Sequence, residues 1–292
     1  MNRKDGFMDC TTKRKIKYIS GEALFHIFVW ILGFFMLYPI LWMVANSLKT
    51  NREIFNNFSL IPTSFNFDNY IRGWQYNNQI SFSVFFRNSF LYTSIATVGA
   101  VLASASVAYG FSRIRFWGNK ALYAVMFLTM MLPFQVIMVP QFIIFQQIGW
   151  VNTFLPLIVP QFGGQAFFIF LMVQFIRGIP KELDQSAMID GCGKFAIFIR
   201  IIFPLIKPAL ITSAIFSFYW RWDDFLGPLL YLNRPRNFTV SLALRMFSDP
   251  TTSTDWGAIF AMGTLSLIPV FLIFIIFQKY IVQGMVTTGL KS

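Results

Sequence analysis

The chain has 292 residues, of which 56% are hydrophobic, 19% aromatic and only 12% charged. Soluble globular domains carry about 25% charged residues, so this composition excludes a large-cored soluble protein and predicts an integral membrane protein. The net charge of +12 does not predict nucleic-acid binding, because the basic residues sit between apolar runs instead of forming a stripe.

A bilayer core needs about 20 apolar residues per helix. In chain order, spans are expected at 22–45, 86–111, 120–146, 153–176, 208–232 and 257–281. This is an all-α integral membrane protein: a cytoplasmic segment 1–20, one six-helix domain over 21–282, and a cytoplasmic tail 283–292. The first run is too long for a cleavable signal and lacks a small-residue cleavage site. His26 lies within it. Cys10 and Cys192 are far apart without ligand spacing, so neither a metal site nor a disulfide is expected. The outward segment 46–85, rich in Asn and Phe, is expected to form short helices on the outer surface. Pro133, Pro140, Pro156 and Pro160 fall within spans 3 and 4, beside Gly163-Gly164. Such breaks are tolerated where neighbours or a cavity satisfy the freed backbone, which leaves ordinary kinking and a moving gate both open.

The basic residues orient the spans. Arg3, Lys4, Lys13, Arg14, Lys15 and Lys17 precede span 1. Arg113, Arg115 and Lys120 lie between spans 2 and 3; Arg177, Lys181, Lys194, Arg200 and Lys207 lie between spans 4 and 5; Lys279 and Lys291 lie at the end. These are sixteen of the 24 Lys and Arg, and the bias puts both termini in the cytoplasm.

The inside loop at about 178–207 is too long for a turn. Pro180 suits a first helical turn, and Glu182 and Asp184 complement the N-terminal dipole. Gly191-Cys192-Gly193 is a chain reversal, and Lys194 to Phe203 forms a second helical piece before Pro204 and Pro208 re-enter the membrane. A helix–glycine–helix protruding into the cytosol is a docking knob. It is not a phosphate loop: Met188 and Phe195 stand where Gly and Ser or Thr are required. No catalytic residues are identified, and the chain is not expected to be an enzyme.

The spacing Ser186-Ala187, Asp190-Gly191, then Ile202-Phe203-Pro204 resembles the EAA loop of binding-protein-dependent ABC transporter permeases. The stretches "NSFLYTSIATVGAVLASASVAYGFSRIRFWG", "TMMLPFQVIMVPQFIIFQQIGWVNTFLPLIVP" and "QKYIVQGMVTTGLKS" resemble the sugar and oligosaccharide branch, in particular its second, maltose-type six-span subunit. The resemblance implies a type I importer permease in a bacterial cytoplasmic membrane. It would work with a second permease subunit, two ATPase subunits holding ATP and magnesium, and an extracytoplasmic binding protein delivering a sugar. No cofactor is implied in this chain. The contacts with the ATPase would map to Asp184, Gln185, Ser186, Ala187, Asp190 and Gly191, and the tail Gln283–Ser292 would reach between the ATPase subunits. The chain departs from the family pattern in three places. Gln185-Ser186-Ala187 replaces Glu-Ala-Ala, Val173 stands where Arg is frequent, and Asp223 with Arg221 replaces Asn and Ser.

Span 5 carries charge inside an apolar run, "FSFYWRWDDFLGPLLYL". At 100° per residue, Ser213, Ser217, Trp220, Asp223, Asp224, Gly227 and Tyr231 fall within about 60° of one line. Ile211, Phe218, Trp222, Phe225, Leu226 and Leu229 lie opposite. One face is expected to line a pathway and the other to meet lipid, with the acids in the outer third of the membrane. Carboxylates and indoles suit a sugar. Equally open are an Arg221–Asp224 pair three residues apart and a pair between Asp223 and the partner subunit. A rival class is a proton- or cation-coupled carrier using Asp223 and Asp224. Such carriers are usually larger or carry internal repeats, and no repeat is found here.

Overall fold

The computed structural model describes the backbone of residues 5–75, 80–246 and 254–289, and the side chains of residues 22–75, 80–245 and 254–280. The side chains of segments 1–20 and 283–292 therefore lie outside the described residues. Among the described residues every regular element is helical, and the match of composition to an all-α membrane fold holds. In chain order the helices are α1 Asp5–Ser47, α2 Asn51–Asn56, α3 Asp68–Trp74, α4 Phe82–Arg113, α5 Asn119–Met130, α6 Phe134–Gln147 and α7 Leu155–Ile158. A 3₁₀ turn, Val159–Gly163, leads to α8 Ala166–Arg177, α9 Glu182–Ile189 and α10 Lys194–Ile197. There follow a π turn Phe198–Ile202, α11 Phe203–Leu205, α12 Lys207–Trp222, α13 Leu226–Tyr231, α14 Val240–Met246 and α15 Trp256–Gly289.

Four segments among the described residues are long and apolar enough to cross a membrane: Glu22–Ser47, Phe82–Arg113, Leu155–Arg177 and Trp256–Tyr280. Among the described residues the total reaches six if each of two bent pairs counts as one span: α5 with α6, turning by 99°, and Lys194–Leu205 with α12, turning by 75°. The third expected span is thus not one helix but two, broken at Met131–Pro133, where proline removes a backbone donor. The fifth is corrected likewise. Its helix ends at Trp222, and a second begins at Leu226.

Packing separates residues 1–70 with 255–264 from residues 71–254 with 265–292. In the first unit the outward segment forms short helices, α2 and the start of α3. Lys49 is fully buried, and its ammonium donates to the carbonyls of Asn57 and Ser59. Asn69, also buried, donates to the carbonyls of Ser47 and Lys49.

The second unit is organised by α4. Its buried residues Ser89, Thr93, Ala96, Ala100, Ser104 and Ala108 recur at helical spacing. Small side chains let helices approach closely where lipid supplies no hydrophobic drive, and α8, α12 and the 3₁₀ turn pack against α4. At Gly99 an added Cβ would stand 2.6 Å from the Phe162 ring. Toward the C-terminal end of α4, Ala105, Ala108 and Tyr109 join Phe168, Met172 and Ile176 of α8, Ala187 of α9, and Ile197, Ile202, Ile206 and Ala209 in one core.

Candidate translocation cavity and coupling face

Three chain breaks converge on one cavity of about 290 Å³. Phe134, Ile137 and Gln141 come from α6 after its bend; Pro156, Leu157, Pro160, Gln161 and Gln165 come from the broken entry to α8. Arg221, Asp224, Gly227 and Tyr231 come from either side of the α12–α13 break, and Tyr92 from α4. Broken helices inside a membrane are stable where their freed groups are buried in protein or line a cavity, and this arrangement fits that rule.

The polar groups here form a defined set. Asp224 accepts from the Tyr92 hydroxyl at 3.2 Å and from the Gly227 N–H at 3.0 Å, so its carboxylate caps the start of α13. The carbonyl of Asp224 accepts from the Ser241 hydroxyl at 2.6 Å. Arg221 donates to Gln161 Oε1, not to a carboxylate, and Gln161 accepts from Gln165 as well. Among the described residues Arg221 and Asp224 form no ion pair, so the pairing three residues apart that the sequence left open is not made. The helix stops between them, so helical neighbourhood does not apply. Two buried polar atoms at the cavity have no protein partner: Arg221 Nε and the Tyr231 hydroxyl.

The break also corrects the single pathway face drawn through residues 213–231. Asp224, Gly227 and Tyr231 come together at the cavity, while the others do not. Ser213 and Ser217 are fully buried within α12, which packs against α4. Trp220 is half-exposed and stacks on Phe168 at 5.4 Å. Asp223 is exposed and lies outside the cavity lining. The greasy side is corrected too: Phe218 and Trp222 are buried, not lipid-facing. They stack at 5.7 Å, and the Trp222 indole donates to the Ser266 carbonyl at 2.9 Å. Asp223 and Asp224 thus occupy different surroundings, and no two-carboxylate relay is assembled.

The loop expected to dock the ATPase folds as a helix, a reversal and a helix. Gly191 takes φ +82°, a conformation that favours glycine, and Cys192 N–H bonds back to the Ala187 carbonyl at 2.9 Å. The six expected coupling residues divide into two sets. Gln185, Ser186, Asp190 and Gly191 are exposed, together with Met188 and Ile189. Asp184 and Ala187, expected to contact the ATPase, are instead buried among this chain's own residues. They lie three apart on the inner face of α9. Asp184 sits 2.8 Å from Arg113 Nε at the end of α4, and Ala187 enters the core. Arg113 also donates to the Ile179 carbonyl at 2.7 Å, and the Tyr109 hydroxyl donates to the Lys194 carbonyl at 2.9 Å. The C-terminal turns of α4 therefore fasten the loop before, within and after α9.

Sequence reasoning missed Tyr92, Gln141, Gln161 and Gln165. The available signal was amides inside apolar, proline-containing runs, since polar groups at membrane depth face the protein interior or a cavity. Among the described residues no group of His, Cys, Asp and Glu is arranged to hold a metal.

Comparison with known proteins agrees with this fold. The pattern of the family described as "Binding-protein-dependent transport system inner membrane component" matches residues 95–287. The probable ABC transporter permease protein YurM of Bacillus subtilis is 34% identical, with 99% of this chain and 95% of the relative covered. The arabinooligosaccharides transport system permease protein AraQ of the same organism is 29% identical, over 91% of this chain and 94% of the relative. The trehalose/maltose transport system permease protein MalG of Thermococcus litoralis is 28% identical, over 90% and 94%. A chain of a bacterial ABC transporter that imports the acidic polysaccharide alginate has the same fold, with TM-score 0.78 and 21% identity over 92% of this chain and 97% of that one.

Proposed function

Because this chain belongs to the family of binding-protein-dependent transport system inner membrane components, we propose that it is the permease subunit of an ATP-driven importer for a sugar of the oligosaccharide class. It is a multi-pass protein of the bacterial membrane, and the basic-residue bias supports both termini in the cytoplasm. It pairs with a second permease, receives substrate from an external binding protein, and rests on two ATPase subunits that hold ATP and magnesium. The chain itself carries transport and no hydrolysis. The relatives' names for arabinooligosaccharide and trehalose/maltose transport support the substrate class.

The observation that carries the pathway is that two buried polar atoms of the cavity lining lack a protein partner, the hydroxyl of Tyr231, a residue 2% exposed, and Arg221 Nε. Leaving buried polar groups unpaired costs about 1–3 kcal/mol each, and a sugar hydroxyl that reaches either one relieves its cost. Gln141, Gln161, Gln165 and Tyr92 add donors and acceptors around them. The shape of the site supports alternating access, with the bends at Met131–Pro133 and Asp223–Phe225 as the elements that rearrange. Tyr231→Phe removes only the hydroxyl. Uptake of labelled oligosaccharide by cells expressing the whole complex should fall in this variant while assembly stays normal. Unchanged uptake kinetics would remove Tyr231 from the path.

A further inference from the structure

We infer that the ATPase subunit makes a second contact with this chain, inserting an acidic segment into a cleft between the α4–α5 turn and α9. The inference rests on the proposed docking of an ATPase at the coupling face. The cleft measures about 800 Å³ and is lined by the turn from Phe111 to Ala121 on one side and by Lys181, Asp184, Gln185 and Met188 on the other.

Three observations point to this partner. The first is charge. Asp184 is the only acid in the lining, and Arg113 occupies it. Arg115, Lys120 and Lys181 are exposed and have no carboxylate at ion-pair distance among the described residues. Complementary potential of this kind steers and orients a partner. The second is continuity. Gln185 and Met188 line the cleft and also belong to the exposed face of α9, so a subunit seated on that face roofs the cleft. The third is presentation. Trp117 stands at the rim 99% exposed, on a turn closed by Gly118 at φ +81° and by Asn119, whose amide donates to the carbonyls of Phe111 and Ile114. Exposed Trp and Arg flanking a cleft have the composition of an interface anchor.

The test uses the complete complex with its own ATPase subunits and compares Arg115→Glu with Lys120→Glu, Trp117→Ala, and Ile189→Asp on the exposed coupling face. ATPase affinity for the permease pair is measured across a salt series in detergent, then in vesicles of neutral phosphatidylcholine with and without anionic phosphatidylglycerol. The account predicts a loss of about tenfold or more for the charge reversal in every setting, since like charges across an interface are costly, with a flatter salt dependence. Trp117→Ala should weaken affinity without changing that dependence. Normal affinity in the charge-reversed and Trp117→Ala complexes, with Ile189→Asp still losing it, would overturn the cleft contact alone. Loss confined to vesicles containing phosphatidylglycerol would overturn it in favour of a lipid headgroup site. Normal affinity in all three variants would overturn the docking of an ATPase at this face as well.

Discussion

Arg113, in the last turn of α4, and Asp184, on the inner face of α9, meet at 2.8 Å with side chains only 5% and 12% exposed. The same helix that carries Tyr92 to the cavity therefore carries, about 30 Å further along its axis, the anchor of the coupling loop. The buried ion pair, the Ile179 carbonyl and the Tyr109–Lys194 bond tie α9 and its flanking segments to α4.

Breaking that pair from one side strands a buried charge, at about 3–5 kcal/mol. Arg113→Met and Asp184→Leu, made singly, should each lower the yield and melting temperature of the complex. Made together they should restore most of both, because the two charges leave as a pair. The coupling of ATP hydrolysis to uptake should remain impaired in the double variant, since the fixed geometry is lost. A double variant no more stable than either single one would show that the pair is not the anchor.

Gly227 stands where a Cβ would lie 2.6 Å from Asp224 Oδ2 and 2.9 Å from Leu157. Gly227→Ala is expected to displace the Asp224 carboxylate and to cost about 1–3 kcal/mol, as overpacking does. Thermal unfolding of the purified complex measures it. Gly110→Ala on α4, where nothing lies within 4 Å of the new atom, is the matched control and should be neutral or slightly stabilising.

The two adjacent acids should behave differently. Asp223→Asn changes an exposed side chain and should leave stability within about 0.5 kcal/mol. Asp224→Ala leaves the Tyr92 hydroxyl and the Gly227 N–H without their acceptor, at about 1–3 kcal/mol each where buried. Equal melting temperatures for these two variants would contradict the capping role of Asp224.

These contrasts also show what the sequence made legible. Hydropathy located all six apolar regions, and Gly191 marked the reversal of the coupling loop, because both signals are local. The wheel through 213–231 failed at Asp223–Phe225, since a helix period carries no information about where a helix stops. The partners of Asp184 and Asp224 were out of reach for a related reason. Arg113 and Tyr92 are brought to them by the packing of small residues on α4, and nothing in a single sequence pairs residues that far apart. The amides Gln141, Gln161 and Gln165 were visible as polar residues in apolar runs, yet only folding brings them to one cavity.

At the reversal itself, Gly191 has φ +82° and open space around it. Gly191→Leu should cost about 1–2 kcal/mol of backbone strain without a clash, so the membrane core should stay folded. ATPase docking at the neighbouring exposed face of α9 should weaken. Substrate-stimulated ATPase activity read beside thermal unfolding separates the two effects, and normal stimulation in this variant would count against the loop as the coupling element.

The central claim is that this chain moves a sugar on energy supplied by a separate ATPase. The direct measurement is uptake of labelled oligosaccharide into vesicles holding the chain with its second permease and ATPase subunits, with the binding protein outside and ATP within. The account predicts that uptake follows ATP hydrolysis, needs the binding protein and is indifferent to collapse of the proton gradient. Uptake by this chain alone, driven by a gradient with no ATP present, would contradict it.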